Sequence, residues 1–193
     1  MKNLYLIGMR GVGKSTIGSL LAQKIGKEFV DMDKKIEQEI SESIQEFVKD
    51  KGWDAFREQE RQAVETVSKL EDVVVSTGGG VLMYFNNAEK LKATGKLVLL
   101  TAELETIRTR LSSAEDRPSL TGTGFLEELE RVWNERKDRY HHFADQVIST
   151  DGKNLEDIIQ EILLELGPRN SHLCCSSISR LKRSTKTPFS SFA

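Results

Sequence analysis

The sequence predicts an α/β domain built as a five-stranded parallel sheet with helices on both faces, in three layers. Three observations lead there. Short β-branched or leucine-rich runs alternate with amphipathic segments along the chain; the first run opens directly into a glycine-rich loop and a helix; and the 193 residues, 38% hydrophobic and 30% charged, suit one globular core.

The elements follow in order. "LYLIG" (Leu4–Gly8) reads as a buried strand and "KSTIGSLLAQKIG" as a helix stopped by Gly26. "EFVDMD" is a short second strand, followed by two polar amphipathic helices at roughly 34–49 and 54–70. The third strand is "VVVS", which runs into Gly78, Gly79 and Gly80. A helix near Ala88–Lys92, the strand "LVLLT" and a helix from Leu104 to Leu111 come next. A Gly/Ser/Thr-rich stretch over 112–124 precedes a long charged helix reaching about Tyr140; the strand "QVIST" and a last helix complete the set. In that helix Leu155, Ile158, Ile159, Ile162, Leu163 and Leu166 keep helical spacing until Gly167 and Pro168 stop it. In such a sheet, ligands bind at the carboxyl ends of the strands.

The charge pattern divides the chain. Residues 1–167 hold all 30 acidic residues, whereas 168–193 hold Arg169, Arg180, Lys182, Arg183 and Lys186, seven serines and no acid. We expect a single domain over 1–167 and a disordered, solvated basic tail over 168–193. No run approaches the roughly 18–20 apolar residues of a membrane span, and the first residues do not form a signal peptide. Cys174 and Cys175, adjacent and late, offer neither a disulfide framework nor spaced metal ligands. A cytoplasmic monomer with no nucleic-acid or membrane partner is expected.

"GMRGVGKS", Gly8 to Ser15, matches the phosphate-binding P-loop pattern in the strand–loop–helix context that pattern requires. Its glycines let successive backbone N–H groups face phosphate oxygens at a helix N-terminus. Gly11, Val12, Gly13, Lys14, Ser15 and Thr16 would hold the nucleotide, with Lys14 on the β/γ-phosphates and the Ser15 hydroxyl on Mg²⁺. No Asn-Lys-x-Asp base-recognition motif occurs, and "VVVS" does not end in the usual Walker B aspartate. Asp31 and Asp33 in "FVDMD" are the candidate acids, two residues apart as on one face of a strand. The alternative is a pair of helix-capping aspartates. Three glycines in a row read either as backbone needing positive φ or as bare backbone against a ligand.

The ordered set "GMRGVGKST", "DMD", "FREQE", "GGG", "RPSLTG" and "ERKDRY" resembles the shikimate kinases over about residues 1–167. The resemblance implies a P-loop kinase fold like that of adenylate kinase, a substrate-binding insertion over about 34–70 and a lid over about 112–124. It implies ATP-dependent phosphorylation of the 3-hydroxyl of shikimate, with ATP as co-substrate and Mg²⁺ as cofactor, in aromatic amino-acid biosynthesis.

Carried over by position, Asp33 would act on the substrate hydroxyls and Asp31 on Mg²⁺ through water. Arg57 and Arg136 would grip the ring carboxylate, with Arg139 as the alternative to Arg136 and, for Arg57, an ordinary helix ion pair with Asp54, Glu58 or Glu60 as the other reading. Gly78, Gly79 and Gly80 would stand against the ring. Arg117 would close over the phosphates, and Arg110 would stack on adenine, with Arg108 as its competitor. The resemblance is broken at Asp138, where the family pattern has proline, and in the lid pair Ser119–Leu120. A gluconate-type kinase and a nucleotide-binding module without turnover are the rival readings.

Overall fold

The computed structural model describes residues 2–84, 86–112 and 125–165. Five parallel strands form one sheet in the order β2-β3-β1-β4-β5. They are β1 (Asn3–Ile7), β2 (Glu28–Asp31), β3 (Val73–Ser76), β4 (Gly95–Thr101) and β5 (Gln146–Ser149). Every residue of β1 and β3 is buried, which explains their continuous rather than alternating apolar pattern. The register sets Asp31 of β2 beside Ser76 of β3, and Ser76 beside Leu6 of β1, so three strand ends share one rim.

Helices α1 (Lys14–Ile25), α2 (Met32–Ile40), α3 (Ile44–Val67), α4 (Asn87–Thr94), α5 (Leu104–Ser112), α6 (Phe125–Phe143) and α7 (Leu155–Glu165) make up the layers around it among the described residues. Helix α1 ends as its sequence predicts: Gly26 is left-handed at φ 67° and its N–H returns to the last turn. It packs directly on β2, where a Cβ at Gly18 would lie 2.6 Å from the Phe29 ring.

Two boundaries differ from the sequence reading. The break between the second and third helices falls at Ser41–Ser43, where Ser43 and Glu46 form a reciprocal capping box. The anticipated break near residue 52 survives as a kink inside α3, with Gly52 at φ 82° and ψ 169°. The second strand also stops at Asp31, so Met32 and Asp33 belong to the first turn of α2. The expected lid and basic tail lie outside the described residues. No helix among those described is long and apolar enough to cross a membrane.

Candidate active site

The loop between β1 and α1 takes left-handed φ at Gly8 (130°), Gly11 (80°) and Gly13 (97°), conformations that strain any residue with a Cβ. Gly13 caps α1 with no side chain, so no cap side chain accepts from the first helical N–H groups, and Gly13, Lys14, Ser15 and Thr16 line a cavity. An anion is the natural occupant there. Lys14 folds back over the loop, donating from Nζ to the carbonyls of Gly8 (3.0 Å) and Met9 (2.8 Å). Burial lowers its pKa to about 8, Asp33 and Asp31 opposing that shift and Arg136 adding to it.

A cavity of about 660 Å³ lies over this loop, lined by Gly11, Gly13, Lys14, Ser15, Thr16 and Arg110 on one side and Asp31, Asp33, Ser76 and Thr77 on the other. Arg110 reaches across to Thr150, donating to its hydroxyl at 2.9 Å and its carbonyl at 3.1 Å, and to the Val12 carbonyl at 3.4 Å. Arg108 instead pairs with Glu105 on the exposed side of α5.

The residues fit a magnesium site of the phosphate-completed kind. The Ser15 and Ser76 hydroxyls lie 3.3 Å apart, and Asp31 and Asp33 line the same cavity. No cluster of three or more His, Cys, Asp or Glu exists among the described residues. An ion held by one or two protein groups, water and nucleotide phosphates requires no such cage.

The two aspartates are not arranged as strand neighbours. Asp31 is the N-cap of α2, its Oδ1 accepting from the N–H groups of Asp33 (3.1 Å) and Lys34 (3.3 Å). The capping alternative is therefore realised for Asp31, whose Oδ2 takes no part in the cap. Asp33, in the first turn of the helix, lines both this cavity and a second one.

The second cavity, about 180 Å³, lies between α3, α6 and the glycine triplet. Arg57 and Glu60, three residues apart on α3, form an ion pair with side chains 11% and 3% exposed. Aromatic faces enclose the guanidinium: its centre stands 4.4 Å from the Tyr84 ring and 5.0 Å from the Trp53 ring. Its Nε is buried without a hydrogen-bond partner. Burial raises the Glu60 carboxyl above its usual range, against the lowering effect of Arg57. On α6, Arg136 Nη1 donates to the Gly79 carbonyl at 3.0 Å, and the Tyr140 hydroxyl donates to the same oxygen. Arg139 points elsewhere, bonding the Leu82 carbonyl and pairing with Glu89 at 3.7 Å. Asp138 is exposed and lines neither cavity.

The triplet has a reason that the sequence reading did not contain. None of Gly78, Gly79 and Gly80 has positive φ. A Cβ at Gly78 would lie 2.9 Å from both Asp33 Oδ1 and Glu60 Oε1, and one at Gly80 would lie 2.8 Å from Arg57 Nη1. Glycine is needed there so that protein side chains can close on the backbone. At Gly79 the nearest atoms are the Arg10 nitrogen at 3.5 Å and the Gly8 carbonyl at 3.6 Å, ordinary contact distances for a Cβ.

Of the anticipated residues, Asp33, Arg57, the triplet and Arg136 meet around the smaller cavity, and Lys14, Ser15, Thr16, Asp31 and Arg110 around the larger. Val12 is buried in the loop. Arg117 lies outside the described residues. Sequence reasoning missed Arg10 and Glu128 and named Glu60 only as a possible ion-pair partner of Arg57; all three line the smaller cavity.

The model of the family described as "Shikimate kinase" matches residues 10–167. A shikimate kinase of a Sulfurihydrogenibium species is 40% identical over 169 residues, covering 88% of this chain and 100% of that protein. Among solved structures, the shikimate kinase of Acinetobacter baumannii in complex with shikimate superposes with a TM-score of 0.81 at 30% identity, covering 86% of this chain and 93% of that one. A gluconokinase of Sinorhizobium meliloti reaches a TM-score of 0.55 at 17% identity, with 86% and 91% covered, a likeness of fold alone.

Proposed function

The chain belongs to the shikimate kinase family, a kinase using ATP to phosphorylate shikimate, and we propose that its two joined cavities divide that reaction between donor and acceptor. The observation that carries this division is the pair of cavities meeting at Arg10, Asp33 and Gly79, one opening on the phosphate loop and the other on the half-buried Arg57 and Arg136.

In this reading ATP occupies the larger cavity, with its phosphates on the open N–H groups of α1 and on Lys14, and adenine against Arg110. The residues that would hold Mg²⁺ are Ser15 directly and Asp31 through water, with Ser76 beside them; when bound, the ion neutralises charge on the phosphates. Shikimate occupies the smaller cavity. Arg57 and Arg136 bind its carboxylate, because a planar guanidinium can donate two parallel hydrogen bonds to it. Glu60 holds Arg57 in place.

Asp33 accepts a hydrogen bond from the 3-hydroxyl and orients its oxygen toward the phosphate loop. The bond from the γ-phosphorus to the bridging oxygen breaks as the bond to the ring oxygen forms, the hydroxyl proton passes to Asp33, and ADP leaves. Such a transition state is loose, so positioning and cations contribute more than base strength. Arg117, in the anticipated lid over 112–124, would add positive charge, and closure would exclude water. The region 34–70 would then be the substrate-binding part of a single domain over 1–167, working as a cytoplasmic monomer.

The deciding experiment is ADP release with ATP and Mg²⁺ in the presence of shikimate or of gluconate. Shikimate-dependent release with no response to gluconate is expected; release driven equally by both, or by neither, would refute the reading.

A further inference from the structure

The third residue of the phosphate loop is left open by the motif, and here it is an arginine. Among the described residues that line the two cavities, Arg10, Asp33 and Gly79 line both. The phosphorus atom has to pass from one cavity to the other, so groups common to both are the ones it passes. Gly79 contributes backbone and Asp33 a carboxylate, leaving Arg10 as the cation of the three.

The neighbouring cations each line one cavity: Arg57, paired with Glu60, and Arg136, donating to the Gly79 carbonyl, line the smaller, and Lys14, donating to the carbonyls of Gly8 and Met9, lines the larger. A guanidinium stays charged at every working pH, and its planar fork matches the equatorial oxygens over which a loose phosphoryl transition state spreads its charge.

We propose that Arg10 is a catalytic residue of the transfer, its guanidinium contacting the phosphoryl group at the junction of the cavities and, after transfer, the phosphate of the product. This rests on the shikimate kinase reading. It assigns to the loop a contact on the acceptor's side of the reaction as well as on the nucleotide's.

The test is equilibrium binding of shikimate and of shikimate 3-phosphate to the unsubstituted protein, Arg10→Met and Arg10→Lys, together with kcat and both KM values. In Arg10→Met the affinity for shikimate should stay within about threefold while that for shikimate 3-phosphate falls on the order of tenfold or more, a charge-assisted contact being lost from the phosphate alone. Arg10→Lys should recover part of that affinity, and kcat should fall in the methionine variant with the shikimate KM little changed. A residue that merely braces the loop would not separate the two ligands. Equal weakening of both, or of neither, would overturn the proposal. Should the methionine variant fail to fold, the ratio of the two affinities in Arg10→Lys decides in its place. If the unsubstituted protein does not bind shikimate, the functional reading falls, and this one with it; if it binds shikimate and the ratio is unaltered by substitution, this one alone falls.

Discussion

Arg57 and Glu60 form an ion pair that fills the space left by two missing Cβ atoms: Glu60 packs against Gly78 and Arg57 against Gly80. Removing one member of such a pair leaves a buried, uncompensated charge. Glu60→Gln should therefore loosen Arg57 and raise the shikimate KM about tenfold or more with the ATP KM nearly unchanged. Steady-state kinetics with each substrate varied in turn checks this, and an equal rise in both KM values would remove Glu60 from the acceptor side.

The glycines should separate by mechanism. Gly78→Ala and Gly80→Ala force a Cβ to within 2.9 Å and 2.8 Å of charged side chains, whereas at Gly79 the nearest atom is 3.5 Å away. Because those atoms are the far ends of Asp33, Glu60 and Arg57, which can shift, the first two substitutions should displace these side chains and lower thermal stability by about 1 kcal/mol, the low end of overpacking. Gly79→Ala should leave the melting temperature close to that of the parent and reduce turnover instead. Calorimetry and kinetics on the three variants test the ordering; a stability loss largest at Gly79 would contradict it.

Lys14 sets an alkaline limb. Its pKa in the fold is about 8, below the ordinary 10.5, so between those values the unfolded chain binds more protons and the penalty for burying this ammonium is relieved as pH rises. The ammonium is what nucleotide phosphates need. Because kcat/KM reports the free protein, its value for ATP should fall above pH about 8, while the limb in kcat lies higher, the bound phosphates favouring the charged form. A kcat/KM profile flat to about pH 9.5 would contradict the role of Lys14.

Arg136→Lys should raise the shikimate KM strongly and selectively, since a bidentate contact becomes monodentate. Arg139 bonds the Leu82 carbonyl and pairs with Glu89, away from the cavity. Arg139→Lys should leave both KM values within about threefold. The opposite pattern would exchange the two assignments.

Asp33→Asn keeps the size of the side chain and removes its charge. Near-normal ATP binding, weaker shikimate binding and a fall in kcat of at least roughly a hundredfold are expected. Turnover like that of the parent would leave Asp33 with a packing role in the first turn of α2.

What could be read beforehand follows from how far apart in the chain the cooperating residues are. The phosphate loop was legible because its backbone geometry is encoded in eight consecutive residues, Gly8 to Ser15. The strands were legible because β1, β3 and β4 are buried enough to become continuous apolar runs. Glu60 was not, since an acid three residues after an arginine on a helix has the same pattern whether solvated or 2% exposed. The triplet was recognised as unusual, but its cause is contact with residues 45, 18 and 23 positions away in sequence (Asp33, Glu60 and Arg57 against Gly78 and Gly80), which no local pattern records. The sequence reading carries the strand through Asp33 for a similar reason: the strand ends at Asp31, the residue whose side chain also caps the next helix.

The outermost position of β2 has an evolutionary consequence. This strand pairs with β3 alone, and the corner that follows it carries both aspartates, whereas the phosphate loop springs from β1, which is flanked on both sides. Donor recognition is thus inherited with the trunk of the sheet, where change disturbs two ladders at once. In the proposed division, Asp33, Arg57 and Glu60 hang from the branch that follows β2, while Arg136 and the glycine triplet belong to α6 and to the end of β3. Descendants of such a chain can alter the part of the acceptor pocket borne by that branch while the trunk passes on unaltered the loop that faces the nucleotide.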